Sequence, residues 1–218
     1  MKVELVAQTT GRGKYKDLKP EEIIVAIARH GVIKEDNGKL IVYLMDQKHV
    51  SPLEMINFVF EIETSRAIGR EILRHRMSFQ EYSQRYTDKM KFEPLELRKQ
   101  HEKNRQSSTE VFDPFIEKLG MKASEAMELW TQSLYDVYKG VIDAGVAREC
   151  ARFILPERTT TILTVNGTLR SWLSFLNVRC DHNAQKEIQN IAVLIGETLE
   201  AELPNVFARI DWRKGMFM

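Results

Sequence analysis

The sequence predicts an α+β fold, a small central antiparallel sheet flanked by helices, in one domain spanning residues 1–218. Three observations predict it. Residues 55–64 alternate apolar and polar, residues 159–165 are β-branched except at Leu163, and long stretches of helical periodicity separate these two strands. The 218 residues are 43% hydrophobic, which suffices for one core of ordinary size. No repeat, low-complexity block or Gly/Ser/Pro linker divides the chain.

Residues 2–9 alternate well enough for an edge strand, and Gly11 and Gly13 break it before a helix opens near Pro20. That helix covers 21–30 and ends at Gly31; a second covers 40–47 and leads to Pro52, which disfavours helix before it. In 55–64, Ile56, Phe58, Phe60 and Ile62 form the apolar side of the clearest strand. Ser65 can cap a following helix whose apolar side is Ala67, Ile68, Ile72 and Leu73 and whose C-terminal end carries Arg74-His75-Arg76. Residues 87–113 are the most polar part, including the run from Arg98 to Arg105; they have little apolar periodicity and are expected to form a surface excursion. From Ala123 the apolar residues Ala126, Met127, Trp130, Leu134, Val137, Tyr138 and Val141 recur at helical steps, a stripe that predicts core. Helical patterns at 146–155, 171–177 and 184–199 complete the expectation, and the tail 204–218 carries no recognisable chemistry.

Charge and cysteine content exclude several classes. With 32 basic and 31 acidic residues the net charge is +1, so nothing global points to nucleic acid or a membrane surface, and any anion site must be local. No apolar run is long enough to span a bilayer, and no secretory signal opens the chain; a cytoplasmic protein is expected. Cys150 and Cys180 are far apart, without metal-ligand spacing, so neither a disulfide framework nor a metal site is expected.

Local chemistry concentrates in two places. From Arg74 to Tyr86, three arginines, a histidine, a glutamate and two serines fall within a dozen residues, a set that suits phosphate oxygens and a ribose or base edge. A solvated basic helix end accounts equally well for it. The second place runs from Arg148 and Arg152 through Arg170 and Ser171 to Arg179. Arg179 follows an apolar stretch, where a guanidinium needs either a ligand or an acid such as Asp181.

Four segments in register resemble the flavin-dependent thymidylate synthases (ThyX type). Arg74-His75-Arg76, followed after a short spacer by Glu81-Tyr82-Ser83-Gln84-Arg85-Tyr86, resembles the family's RHR and E-x-S-x-R-Y signature. His49-Val50-Ser51-Pro52-Leu53-Glu54 is similar to its H-x-S/T-P-x-E segment, and Ala151-Arg152-Phe153-Ile154-Leu155-Pro156 to its AR-x-x-LP. Arg170-Ser171 through Arg179, with Ala184 to Ile188 downstream, matches its RS-x-x-x-F-x-x-x-R and AQ-x-E-I regions. The resemblance implies reductive methylation of dUMP to dTMP, with methylenetetrahydrofolate as carbon donor, FAD as hydride carrier and NADPH as reductant. It also implies a homotetramer whose active sites lie at subunit interfaces, some substrate contacts coming from a neighbouring chain.

By position, the resemblance assigns FAD to His49, Ser51, Arg74, His75, Arg76, Glu81, Thr168, Arg170 and Ser174. It assigns dUMP to Glu71, Arg74, Glu81, Ser83, Gln84, Arg85, Arg152 and Arg179, with Arg179 the catalytic residue that favours ionisation of the pyrimidine N3. Departures are a spacer of six residues between Arg76 and Ser83, one fewer than usual, Glu71 for a common glutamine, Met55 for histidine, Ser174 for asparagine, and Asn183 for histidine with His182 adjacent. They leave room for another pyrimidine nucleotide such as UMP, or for a flavin-binding protein without turnover. A nucleic-acid-binding module, the reading from another class, fails on balanced charge and on the absence of a recognised binding pattern. Neither cysteine is placed like an activated thiolate, and Ser83 has no evident base beside it, so the residues suit a reaction without a protein nucleophile.

Overall fold

Phe58, Phe60 and Ile62 are all fully buried, and their two-residue spacing explains why the segment around them is a central strand. The computed structural model describes residues 1–34, 38–87 and 90–215. In chain order its elements are β1 (Lys2–Gln8), α1 (Pro20–Ala28), α2 (Lys39–Asp46), β2 (Asn57–Ser65), α3 (Arg66–Ile72), β3 (Ser78–Glu81), β4 (Arg98–Gln100), β5 (Ser108–Val111), β6 (Phe115–Ile116) and β7 (Met121–Lys122). There follow α4 (Ala123–Asp143), α5 (Arg148–Ala151), β8 (Thr160–Thr168), α6 (Leu169–Arg179), α7 (Lys186–Glu202) and α8 (Pro204–Phe207). The strands and helices together make an α+β fold.

The chain divides into two compact units. One, here the sheet unit, comprises Lys2–Ile62, Glu71–Gln80 and Leu163–Met218; the other, the α4 unit, comprises Met1, Glu63–Arg70 and Glu81–Ile162.

In the sheet unit the strand order is β1-β2-β8-β3. The strands are antiparallel: the Thr9 amide donates to Asn57 O (2.9 Å), and the Leu169 amide to Ile56 O (2.7 Å), pairing the end of one strand with the start of its neighbour. Helix α6 lies on this sheet through Trp172, whose ring meets Phe60 edge-on at 5.0 Å and whose Nε1–H donates to Phe58 O at 3.0 Å. Helix α7 buries Ile188, Ile191, Ala192, Ile195 and Leu199 at helical spacing. The tail is part of this core: Val206, Phe207 and Trp212 are buried, and a Cβ on Gly196 would stand 2.2 Å from the Trp212 ring. Only glycine admits that approach.

In the α4 unit, Ser65 caps α3, its Oγ accepting from the Ile68 amide at 3.4 Å. Asp113 serves the start of α4, accepting from the Ser124 amide (2.9 Å) and hydroxyl (2.7 Å), which holds its carboxyl below the usual range. Arg158 ties the unit together, Nε donating to Thr131 Oγ1 (3.1 Å) and one terminal nitrogen to Glu93 O (3.0 Å).

Two expectations are corrected, and a third gains detail. The excursion at 87–113 contains an antiparallel hairpin, β4 with β5, whose loop is fastened by Gln100 Nε2 donating to the carbonyls of Asn104 (3.0 Å) and Ser107 (2.9 Å). Side-chain to backbone bonds replace apolar periodicity there. The helix expected over 146–155 is one turn of α5 followed by a 3-10 turn. The stripe on α4 is core only in part: Ala126 and Tyr138 are buried, with Thr131, but Met127, Trp130 and Val137 are 44%, 60% and 49% exposed, because the buried line runs along one edge of the apolar face.

Candidate functional site

Helix α3 stops at Ile72, earlier than the sequence pattern suggests, because the chain must be extended by Ser78 to enter β3. Arg74, His75 and Arg76 therefore sit on a turn, with the His75 amide donating to Ile72 O at 3.1 Å. In the sheet unit, this turn meets the start of α6. Thr168 Oγ1 caps that helix, accepting from the Ser171 amide at 3.1 Å, while Ser171 Oγ donates to Arg76 O at 3.3 Å.

The turn and the helix start enclose a cavity of about 630 Å³ lined by Glu54, Arg74, His75, Arg76, Thr168, Arg170, Ser171 and Ser174. Three guanidinium groups, an imidazole and three hydroxyls at a helix N-terminus form a donor set suited to a diphosphate. The residues present thus fit a dinucleotide cofactor. Glu54 pairs with Arg170 at the rim. Arg74, His75, Arg76, Thr168, Arg170 and Ser174, expected at FAD, line the cavity together; His49 and Ser51, also expected there, are exposed and outside its lining. Sequence reasoning missed Glu54 and Ser171, although both lie inside segments that carried the resemblance.

Arg179, in the last turn of α6, is only 14% exposed. One terminal nitrogen donates to Glu71 Oε2 (2.7 Å), the other to Glu71 O (3.0 Å), and Nε to His75 Nε2 (3.0 Å). The acid that answers it is Glu71 and not its neighbour Asp181, whose carboxylate accepts from the Asn183 amide instead. Burial and Arg74 push the guanidinium's pKa down, and Glu71 pulls it back. The His75 ring packs edge-on against Phe175 at 4.8 Å; burial and Arg179 depress its pKa from 6.5 to about 4, so the imidazole is neutral.

The remaining expected residues lie in the α4 unit. Glu81 Oε1 accepts from Thr161 Oγ1 (2.9 Å) and lies 3.3 Å from an Arg66 terminal nitrogen. Ser83 Oγ accepts from the Arg85 amide at 3.3 Å, Gln84 is buried, Arg85 is exposed and Arg152 opens a 3-10 turn. Cys180 is buried and its thiol is pushed up to about 11, whereas Cys150 is exposed. Among the described residues no group of three or more His, Cys, Asp or Glu could hold a metal ion, and no helix is long and apolar enough to cross a membrane.

A family model described as thymidylate synthase complementing protein matches residues 4–205. The chain belongs to this family. It is 39% identical over 199 residues to the flavin-dependent thymidylate synthase of Synechocystis sp., covering 89% of this chain and 91% of the relative. A probable flavin-dependent thymidylate synthase of Paramecium bursaria Chlorella virus 1 is 34% identical over 88% of this chain and 91% of its own length. The enzyme of that name from Thermosipho africanus is 38% identical over 79% of this chain and 76% of its own.

Proposed function

We propose that this chain converts dUMP to dTMP by reductive methylation, taking its carbon from methylenetetrahydrofolate, its hydride through FAD and its reducing equivalents from NADPH. The observation that carries the reading is a part-buried arginine, held in place beside a cavity built of phosphate-binding donors. FAD, when bound, supplies hydride transfer.

The chain's own residues bind, orient and polarise. Arg74, Arg76 and Arg170 offset the charge of the flavin diphosphate, with Thr168, Ser171 and Ser174 as hydroxyl donors; His49, Ser51, His75 and Glu81 complete the cofactor's contacts. Arg179 holds positive charge next to the pyrimidine and so lowers the cost of removing the N3 proton. The dUMP contacts are made by Arg74, Glu81, Ser83, Gln84, Arg85 and Arg152, some of them from a neighbouring chain, and Glu71 contributes through Arg179. The buried Cys180 stays protonated at neutral pH and supplies no thiolate to the ring.

The whole chain acts as one functional domain, in the cytoplasm and as a homotetramer. The exposed apolar face of α4, with Met127, Trp130 and Val137, supports assembly, because apolar side chains left in water gain by being covered.

The test is titration of the purified protein with FAD, followed by visible absorbance, and NADPH oxidation on adding dUMP and methylenetetrahydrofolate. Tight FAD binding with oxidation that requires both substrates supports the reading. Failure to bind FAD defeats it, and turnover with UMP in place of dUMP would reassign the substrate.

A further inference from the structure

Arg179 spends three of its five N–H groups on protein acceptors: two on Glu71, through its side chain and its own carbonyl, and one on His75. One N–H on each terminal nitrogen remains for a ligand. A long side chain at a helix end would otherwise explore many rotamers. These three bonds fix the plane of the guanidinium as well as its position. They also fix the imidazole: Nε2 accepts, so the proton is on Nδ1.

We propose that Glu71 and His75 form a clamp that positions Arg179 for the pyrimidine, Glu71 acting through the arginine and His75 as the Nδ1–H tautomer. This rests on Arg179 acting at the pyrimidine, as set out above. Three physical arguments support the clamp. Glu71 and Arg179 are 22% and 14% exposed, so their attraction is weakly screened and the pair holds one geometry. The imidazole is held from its other side by the edge-on contact with Phe175, which in turn meets Trp172 at 5.7 Å, so the acceptor belongs to the packed core of α6. Finally, only a bare Nε2 can accept from a guanidinium; a proton there would set two donors face to face, and protonation of both nitrogens would set two cations together. The charged groups around the pair are Arg74, which repels Arg179, and Glu71.

A carboxylate here has a further consequence. It cancels most of the arginine's charge before substrate arrives, so the clamp trades attraction for the dUMP dianion against a fixed orientation. Removing the carboxylate should therefore lower kcat without raising KM for dUMP. A glutamate that touched the nucleotide directly would show the opposite balance.

The experiment compares Glu71→Ala and Glu71→Gln with the parent enzyme, each confirmed to be folded and to bind FAD. We expect kcat for Glu71→Ala to fall at least about tenfold, with KM for dUMP unchanged or lower. Glu71→Gln, which keeps an oxygen acceptor for the guanidinium, should restore kcat to within about threefold of the parent. A rise in KM in both variants with kcat intact would overturn the clamp. A second readout does not depend on turnover: nitrogen-15 NMR of the five histidines, with His75 assigned by its loss in His75→Phe. At neutral pH, His75 should show a protonated Nδ1 and a bare Nε2. The opposite tautomer, or an imidazolium, would overturn the clamp even if the protein makes no dTMP, whereas absence of dTMP with the expected tautomer would count against the assigned reaction alone.

Discussion

His75 shows how one side chain's surroundings become a measurable property. Its ring is buried beside a guanidinium, and its pKa falls from 6.5 to about 4. The unfolded chain therefore takes up this proton at higher pH than the folded one. The stability this difference contributes is fully present above 6.5 and is lost as pH falls towards 4. Denaturant midpoints should accordingly drop more between about pH 7 and about pH 4.5 in the parent than in His75→Phe. Equal drops would contradict a neutral buried imidazole. At Cys180 the same desolvation works in the opposite sense, raising the thiol to about 11 and leaving it inert. Replacing both cysteines by serine should keep dTMP formation within a few-fold of the parent; complete loss in a folded protein would return the chemistry to a thiolate. Ser83, whose Oγ accepts from a backbone amide and has no general base bonded to it among the described residues, should be replaceable by alanine with measurable activity retained. A covalent adduct trapped on Ser83 would refute the positioning role.

Among the elements, α7 and the chain after it show how closely packing depends on one small residue. Gly196 faces the Trp212 ring with no room for a Cβ, so Gly196→Ala should destabilise the protein by about 1–3 kcal/mol in urea unfolding, through overpacking. No loss of stability would mean that Trp212 does not seat on α7. Legibility from sequence follows the same physics. Strands β2 and β8 were readable because alternation and β-branching are local signals, and Ser65 because a cap acts within three residues. The tail was unreadable because Trp212 finds its partner only in space. The stripe on α4 was readable as a helix but misleading as core, since periodicity reports an apolar face and not what covers it. Within the site, the residues lining the cavity came from short motifs. The pairing of Glu71 with Arg179 joins residues 108 apart, and nothing in the chain could distinguish it from a pair with the adjacent Asp181.

For the whole molecule, the exposed face of α4 and the proposed homotetramer stand together. Light scattering on the eluting protein should give a mass of four chains, and Trp130→Glu, which sets a charge in that face, should yield a smaller species; a monomeric parent would contradict the assembly. The central claim joins Arg179 to dTMP formation. It is tested most directly by assaying dTMP from dUMP, methylenetetrahydrofolate and NADPH with the parent and Arg179→Ala side by side, flavin occupancy of each being read from its visible spectrum. The account predicts dTMP from the parent and none from the variant, with FAD bound to both. Flavin-loaded parent protein that forms no dTMP, or a variant that turns over as fast as the parent, would contradict it.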